Sequence, residues 1–520
     1  MDVDQPPQQQ RPQRRVSLAP ESTYDLDHIS QQWDTIGRTK VTRLLFVAST
    51  SPSVAGHALT LALDAIKHLT LDVNLYNDTF HRYRQHISAL EANEEADPTA
   101  RQWLAQLKAG EVTEHKLDRE WIEQARKEAQ SGLDRLEVEL KGYMTNLIKE
   151  SIRMGHRDLA RFQYRTGDLQ GAVRSYTKSR EFCTTGQHVL EMCLGVIEVA
   201  LDMSNYAFVR NYVVKAESAL ESASSSAQGG VLKKPSAPVN LPGMVAPAQD
   251  PAEAARERDK RIVLERLTVA GGVAHLGAGQ FEKAAWAFTE VGSEAIVSGP
   301  GHFIPTADLA LYATLTSLAC FPRAQVRARV LDNAGLRPAL DQEPWLRELA
   351  RAFYDSRFRE GLGMLQRHEA RFLLDPHLAP HFPTLSHLLL TRSLTTFFTP
   401  FSSVSLSSFS SAFGLPPAQV GALVADLIGR GELAARIDQV GGVVVARRDD
   451  PRAGAFRRAL EMGEGAQKRA KAGRLRMKLL QSDLIVKGST KGGGGGGKTV
   501  VGAGSSGSGG LGGEAVLVDA

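Results

Sequence analysis

Residues 164–176 read YRTGDLQGAVRSY, and the same order of residue types returns at LDMSNYAFVRNYV (201–213), LGAGQFEKAAWAF (276–288) and FYDSRFREGLGML (353–365). Each stretch holds a turn, then a bulky residue, then a helical run. Leu169 and Tyr206 stand 37 residues apart, and Phe281 and Phe358 stand 77 apart, about two repeats of similar length. A helical hairpin of that size has too little surface to bury its own apolar face, so neighbours must stack and share one core. The pattern predicts a mainly α chain with a tetratricopeptide-like helical-repeat solenoid over residues 151–380.

Upstream, residues 21–150 place Leu, Ile, Val and Phe at helical spacings and read as an N-terminal helical region. The clearest case is Leu133, Leu136, Leu140, Tyr143 and Leu147, which form one apolar stripe. Residues 1–20 are rich in Gln and Pro and read as a disordered tail. Within the solenoid, residues 221–254 are Ser, Ala, Pro and Gly without a period and read as a flexible insertion.

Downstream, residues 381–450 change pattern. SHLLLTRSLTTFFTPFSSVSL (386–406) is a helix running into a short extended piece, and SSFSSAFGL (407–415) is a short helix. PPAQVGALVADLIGRGEL (416–433) is a second helix, with Pro416 and Pro417 at its start, where a missing amide does least harm, and Gly429 and Gly431 at its end. The extended segments LAARID (433–438) and VVVARR (443–448) then make a wing. Helix, turn, helix and a two-stranded wing predict a winged helix. Residues 451–487 read as a C-terminal helix, and residues 488–520 as a disordered Gly/Ser tail.

That tail contains KGGGGGGKTV (491–500), in which Gly492, Gly497, Lys498 and Thr499 spell a phosphate-loop pattern. A phosphate loop needs a strand before it and a helix after it, whereas VVGAGSSGSGGLGG follows here. The glycines at 502, 504 and 507 imitate a dinucleotide fingerprint and fail in the same way. No nucleotide or other cofactor is expected.

Catalytic chemistry is equally thin. There is no H-E-x-x-H and no H-x-H, so a hydrolytic zinc has no local scaffold. His377, His381 and His387 are the nearest approach to a cluster, and Pro376, Pro380 and Pro383 break any single face that would hold them. Cys183, Cys193 and Cys320 make no C-x-x-C pair, which fits a reducing compartment, and Cys193 sits among Met, Leu and Val as a small buried hydrophobe. The chain is 42% hydrophobic and 23% charged over 520 residues, ordinary for a soluble protein of several domains. A net charge of +4 argues neither for nor against nucleic acid. The N-terminus has no apolar signal core, and LALYATLTSLACF (309–321) is shorter than a membrane span, so a soluble intracellular protein is expected.

Two features bear on partners. The second helix of the winged helix opens with Pro416, Pro417, Ala418, Gln419, Val420, Gly421 and Ala422, which offers a single glutamine for base readout and favours protein packing over DNA. In the last helical stretch, Lys468, Arg469, Lys471, Arg474, Arg476 and Lys478 crowd together without an acid. They read either as a solvated face or as a nuclear-import or polyanion-binding element.

Helical repeats that end in a winged helix and a terminal helix resemble the PCI family, the scaffolds of the proteasome lid, the constitutive photomorphogenesis signalosome and translation initiation factor three. The segment from GHRDLARFQYRTGDL to NYVVKAES (155–218) is similar to the branch that serves the signalosome and the lid. YDLDHISQQWDTIGRTKVTRLLFVA (24–48) and LQSDLIVKG (480–488) are similar to its signalosome side. This resemblance implies a non-catalytic subunit of the complex that removes a ubiquitin-like modifier from cullins. The hydrolytic zinc would belong to a separate metalloprotease-type subunit. Other PCI subunits are the implied partners, cullin-RING ligases are further ones, and neither nucleic acid nor membrane is expected. Cytoplasm and nucleus are the implied locations. In the family, wings line up edge to edge, which makes Val443, Val444 and Val445 an expected exposed apolar edge. Terminal helices gather in a bundle, for which Leu475, Leu479, Leu480, Leu484 and Ile485 are the candidates. Two rival readings stand: a proteasome lid subunit with the same fold and different partners, and a nucleic-acid-binding winged-helix protein with salt-sensitive DNA affinity.

Overall fold

The computed structural model describes residues 24–93, 97–110, 114–227, 251–292, 303–447 and 451–482. At each of the four repeat turns the chain leaves one helix through a residue at positive φ: Gly167 (95°), Ser204 (54°), Gly279 (73°) and Ser356 (63°). The next N–H, from Asp168, Asn205, Gln280 or Arg357, donates to the carbonyl five residues back at 3.0, 3.0, 2.9 and 2.8 Å respectively. This closure satisfies carbonyls that a helix end would otherwise leave unpaired. The bulky residue then opens the following helix and packs inward, as the sequence pattern predicts.

The hairpins so formed are Lys149–Thr166 with Leu169–Ser179, Gly186–Asp202 with Tyr206–Ala227, Pro251–Gly277 with Phe281–Thr289, and Pro344–Tyr354 with Phe358–Arg367. One core runs through them from Ala160 to Leu389. Helix Thr306–Cys320, which contains the apolar run noted above, is buried on all sides within that core. Among the described residues no single helix is long and apolar enough to cross a membrane.

Two expectations shift. Helices reach Ala227 and resume at Pro251, so both ends of the 221–254 stretch are helical. Ala, Ser and Glu extend a helix already anchored by packing, even where no apolar period marks them. Residues 228–250, 1–20 and 488–520 lie outside the described residues. The second shift concerns the apolar stripe: Leu133, Leu136 and Tyr143 pack around buried Leu140, Ile152 and Leu159, but the helix Arg119–Thr145 stops short of Leu147. That leucine turns to φ 55° and is 79% exposed.

The N-terminal helices Thr39–Thr50, Ala55–Leu69, Val73–Ala92 and Pro98–Ala109 enclose a separate core around Trp33, Tyr76 and Tyr83. At the other end, helices Leu406–Phe413 and Pro417–Gly429 pack Phe409, Phe413, Val420, Val424 and Leu427 against Leu394, Phe398 and Val444. Phe353 and Leu362 touch both this core and the repeat core, so the winged helix is seated on the last hairpin. The described residues up to Arg447 form one compact unit, and helix Pro451–Gln481 belongs to a second.

Candidate interaction surfaces

The wing has three strands, not two. Ser403–Ser405 (β1), Ala435–Asp438 (β2) and Val443–Ala446 (β3) form an antiparallel sheet in the order β1-β3-β2. The extended piece ahead of the first winged-helix helix closes onto β3, which puts the valine strand in the middle. Ala446 N donates to Ser402 O and Leu406 N to Gly442 O toward β1, each at 2.8 Å, while Arg447 N donates to Ala434 O at 2.8 Å toward β2. The expectation that Val443, Val444 and Val445 form an exposed edge is therefore corrected, because the backbone of β3 is used on both sides. Val444 is buried, Val443 half-buried, and only Val445 presents its side chain to solvent.

The open edges are β1 and β2. Antiparallel alternation turns the backbone of Ser403 and Ser405 on β1, and of Ile437 on β2, away from β3. Both strands are very short, and Arg436 and Asp438 flank Ile437, the devices by which an edge avoids indiscriminate pairing. The hairpin tip between β2 and β3 exposes Val440 completely. On the second helix, Val420, Val424 and Leu427 face inward, while Ala418, Gln419, Ala422 and Asp426 face solvent. Arg430, at the end of that helix, is held by Asp426 at 2.7 Å, so no free cation stands ready for a phosphate there.

Where the last repeat meets the first winged-helix helix, a groove of about 610 Å³ runs between helix Phe358–Arg367, helix Phe382–Phe398 and the loop at Gly414. Leu362, Phe382, Leu390 and Phe413 make its floor, and Arg359 and His387 lie at its rim. Ser386 also lines it, and its hydroxyl donates to the Pro383 carbonyl at 3.0 Å. Among the described residues no three His, Cys, Asp or Glu side chains converge as a metal would require. Burial raises the Cys193 thiol to about 11, the state of an inert packed cysteine.

What the sequence pattern did not flag is a buried charge cluster tying the N-terminal helices to the repeats. Arg43 donates to Asp308 and, at 3.3 Å, to Asp375; Arg371 donates to the other oxygen of Asp308 at 2.6 Å. Tyr312 donates to Asp375 at 2.7 Å, and the amides of His377 and Leu378 donate to its second oxygen at 2.9 and 3.0 Å. Two guanidiniums face two carboxylates, so the cluster is neutral although it is buried. Burial works against the charge on Arg43, but Asp308, Tyr312 and Asp375 outweigh it and raise its pKa. Burial would raise the carboxyl of Asp375, but Arg43 foremost holds it below its ordinary value. Burial drives His377 down to about 4, so the imidazole is neutral and shares a 3.0 Å hydrogen bond with the Tyr206 hydroxyl. The legible signal was a lone arginine within VTRLLFVA and a lone aspartate entering an otherwise apolar helix.

A second junction lies nearby. Arg38 bonds Asp72 and the Tyr164 carbonyl, each at 2.9 Å, and a Cβ on Gly167 would stand 2.0 Å from Asp72 Oδ2. The N-terminal region is thus fixed against the first repeat as well as the last.

Helix Pro451–Gln481 is exposed along its length, with Leu475, Leu479 and Leu480 all in solvent. Leu475 and Leu479 share a line at i and i+4, but Leu480 lies about 100° further round, so these three do not make a single seam. Leu484 and Ile485 fall outside the described residues. Lys468, Arg469, Lys471, Arg474, Arg476 and Lys478 are all exposed on the same helix.

Residues 118–329 match the family model described as 26S proteasome subunit RPN7, and residues 365–448 match the PCI domain. The first span opens on the long helix that precedes the repeats, and the second runs from the end of the last repeat helix, Phe358–Arg367, through helix Phe382–Phe398 and the whole winged helix. COP9 signalosome complex subunit 1b of Drosophila melanogaster is 30% identical, with 93% of this chain and 90% of that protein covered. COP9 signalosome complex subunit 1 of Arabidopsis thaliana is 30% identical over 88% and 90%. A 26S proteasome non-ATPase regulatory subunit 6, from Caenorhabditis elegans, is more distant, at 23% over 64% and 74%. With the similarity to the signalosome proteins running from the N-terminal helices through the wing, this chain belongs to the family of COP9 signalosome complex subunit 1.

Proposed function

We propose that this protein is a non-catalytic scaffold subunit of a signalosome complex that removes a ubiquitin-like modifier from cullins, and so regulates cullin-RING ubiquitin ligases. The observation that carries this reading is the reach of the match: it extends over nine-tenths of both chains for signalosome subunit 1 and falls away for the proteasome subunit. The architecture supports it. Repeats and N-terminal helices are locked together by buried charge, and the winged helix is seated on the last hairpin through Phe353 and Leu362, while two strand edges are left open for neighbours. β1 and β2 pair with the wings of adjacent PCI subunits, and isopeptide hydrolysis belongs to a metalloprotease-type subunit of the same assembly. The chain works in cytoplasm and nucleus, with the basic run from Lys468 to Lys478 supporting entry to the nucleus.

The test is affinity purification of the tagged chain from its own cells at near-native salt, with identification and native mass of what accompanies it. Several PCI subunits, a metalloprotease-type subunit and cullins are expected. Proteasome ATPases in their place would move the chain to the lid, and a monomer with salt-sensitive DNA affinity would overturn the scaffold reading.

A further inference from the structure

The hairpin tip at Lys141–Lys149, with sequence KGYMTNLIK, departs from every other described helical turn of the repeats. The four repeat turns put Gly or Ser at positive φ, whereas here a leucine takes that conformation, with Leu147 at φ 55°. A bulky side chain in the left-handed region is costly, and Asn146, which tolerates it best, sits beside it in the ordinary right-handed region. The strain gains no burial: Leu147 is 79% exposed, Ile148 51% and Met144 47%. A strained residue that holds three apolar side chains in water serves something outside the molecule.

The charges around the tip say what. Glu139 is taken by Arg135 at 3.4 Å, and Glu150 by Arg153 at 2.6 Å. Lys141 and Lys149 are exposed and make no ion pair among the described residues. The tip is therefore an apolar knob between two uncompensated cations. We propose that it docks into a partner protein at an apolar cleft rimmed by Asp and Glu. A lipid surface fits less well, since three apolar side chains at a single turn are a small anchor for a membrane. This contact is separate from the wing edges, so assembly through the wing can succeed while the knob fails.

The test uses the full chain in its purified complex, with the photo-crosslinking residue p-benzoylphenylalanine at position 148. The expected product joins the chain to one other protein at apolar residues bordered by carboxylates. Leu147→Gly separates docking from folding, because glycine is at ease at positive φ. Its melting temperature should hold or rise, while its apparent Kd for the crosslinked protein rises at least tenfold. K141E/K149E should weaken the same contact severalfold and remove its salt dependence. The proposal is overturned if Leu147→Gly binds like wild type, if it lowers the melting temperature, if the crosslink reaches only a second copy of this chain, or if the knob instead drives flotation with phosphatidylserine vesicles.

Discussion

Replacing Arg43 with methionine tests whether buried charge, and not apolar packing alone, holds the N-terminal helices on the repeats. Methionine keeps the aliphatic stem against Trp33, whose ring lies 5.5 Å from the guanidinium carbon. The cluster then changes from two cations and two anions to one and two. Asp308 keeps Arg371 at 2.6 Å, so the uncompensated charge falls on Asp375, which retains Tyr312 and two backbone amides. Removing one partner of a buried pair costs about 3–5 kcal/mol, and those three surviving donors place this case near the lower end. At about 1.4 kcal/mol per decade, a loss near 3 kcal/mol corresponds to roughly a hundredfold more frequent opening. Amide hydrogen exchange across helix Thr39–Thr50 reads that opening directly. The double variant R43M/D375N restores neutrality and keeps an oxygen for the two amides, so it should recover a large part of the loss. An R43M exchange rate within a few-fold of wild type, or a double variant no better than the single, would refute the electrostatic account.

The repeat turns predict gains: Ser204→Gly and Ser356→Gly relieve non-glycine residues at φ 54° and 63°, and each should add about 0.5–1 kcal/mol, read as a higher melting temperature. The buried imidazole predicts acid sensitivity. His377 titrates near 4 when folded against about 6.5 when unfolded, so its contribution is whole above pH 6.5 and about 3 kcal/mol of it is lost as pH falls to 4. The depressed Asp375 adds a further loss at lower pH. H377N should flatten a stability profile measured between pH 6.5 and 4. At the wing, Ile437→Pro removes an outward N–H without touching the β3 ladder, and Ser403→Pro does the same on β1. One of the two should abolish co-purification of PCI partners while leaving the circular dichroism near wild type, with the melting temperature held by Ser403→Pro and lowered somewhat by Ile437→Pro, whose side chain packs on the winged-helix core; unchanged co-purification by both would remove the edges from the interface.

The repeats were legible because each turn writes its geometry into three adjacent residues: one tolerant of positive φ, one whose amide closes the helix, and one bulky enough to start the next face. Gly167-Asp168-Leu169 and Gly279-Gln280-Phe281 state this in local chemistry, and the register follows without tertiary information. The wing was legible only in part. VVVARR reads as a strand from composition, but whether a strand is central or at an edge depends on what pairs with it, and Ser403–Ser405 is too short and polar for its partner to be read from pattern. The same limit hid the charge cluster. Arg43, Asp308, Arg371 and Asp375 lie up to 332 residues apart, and each alone resembles a solvated charge. They acquire meaning only when the fold brings opposite signs together out of water. Leu147 is the converse case. Periodicity places it on the apolar stripe because it continues the spacing of Leu133, Leu136, Leu140 and Tyr143, yet a helix can end one step before its pattern does. What ended it was not a helix breaker, since TNLI contains neither Gly nor Pro. A turn built against local preference and then left in water is where the needs of a lone chain and those of an assembly part company, and that is why the knob, more than the well-formed repeats, points outward to a partner.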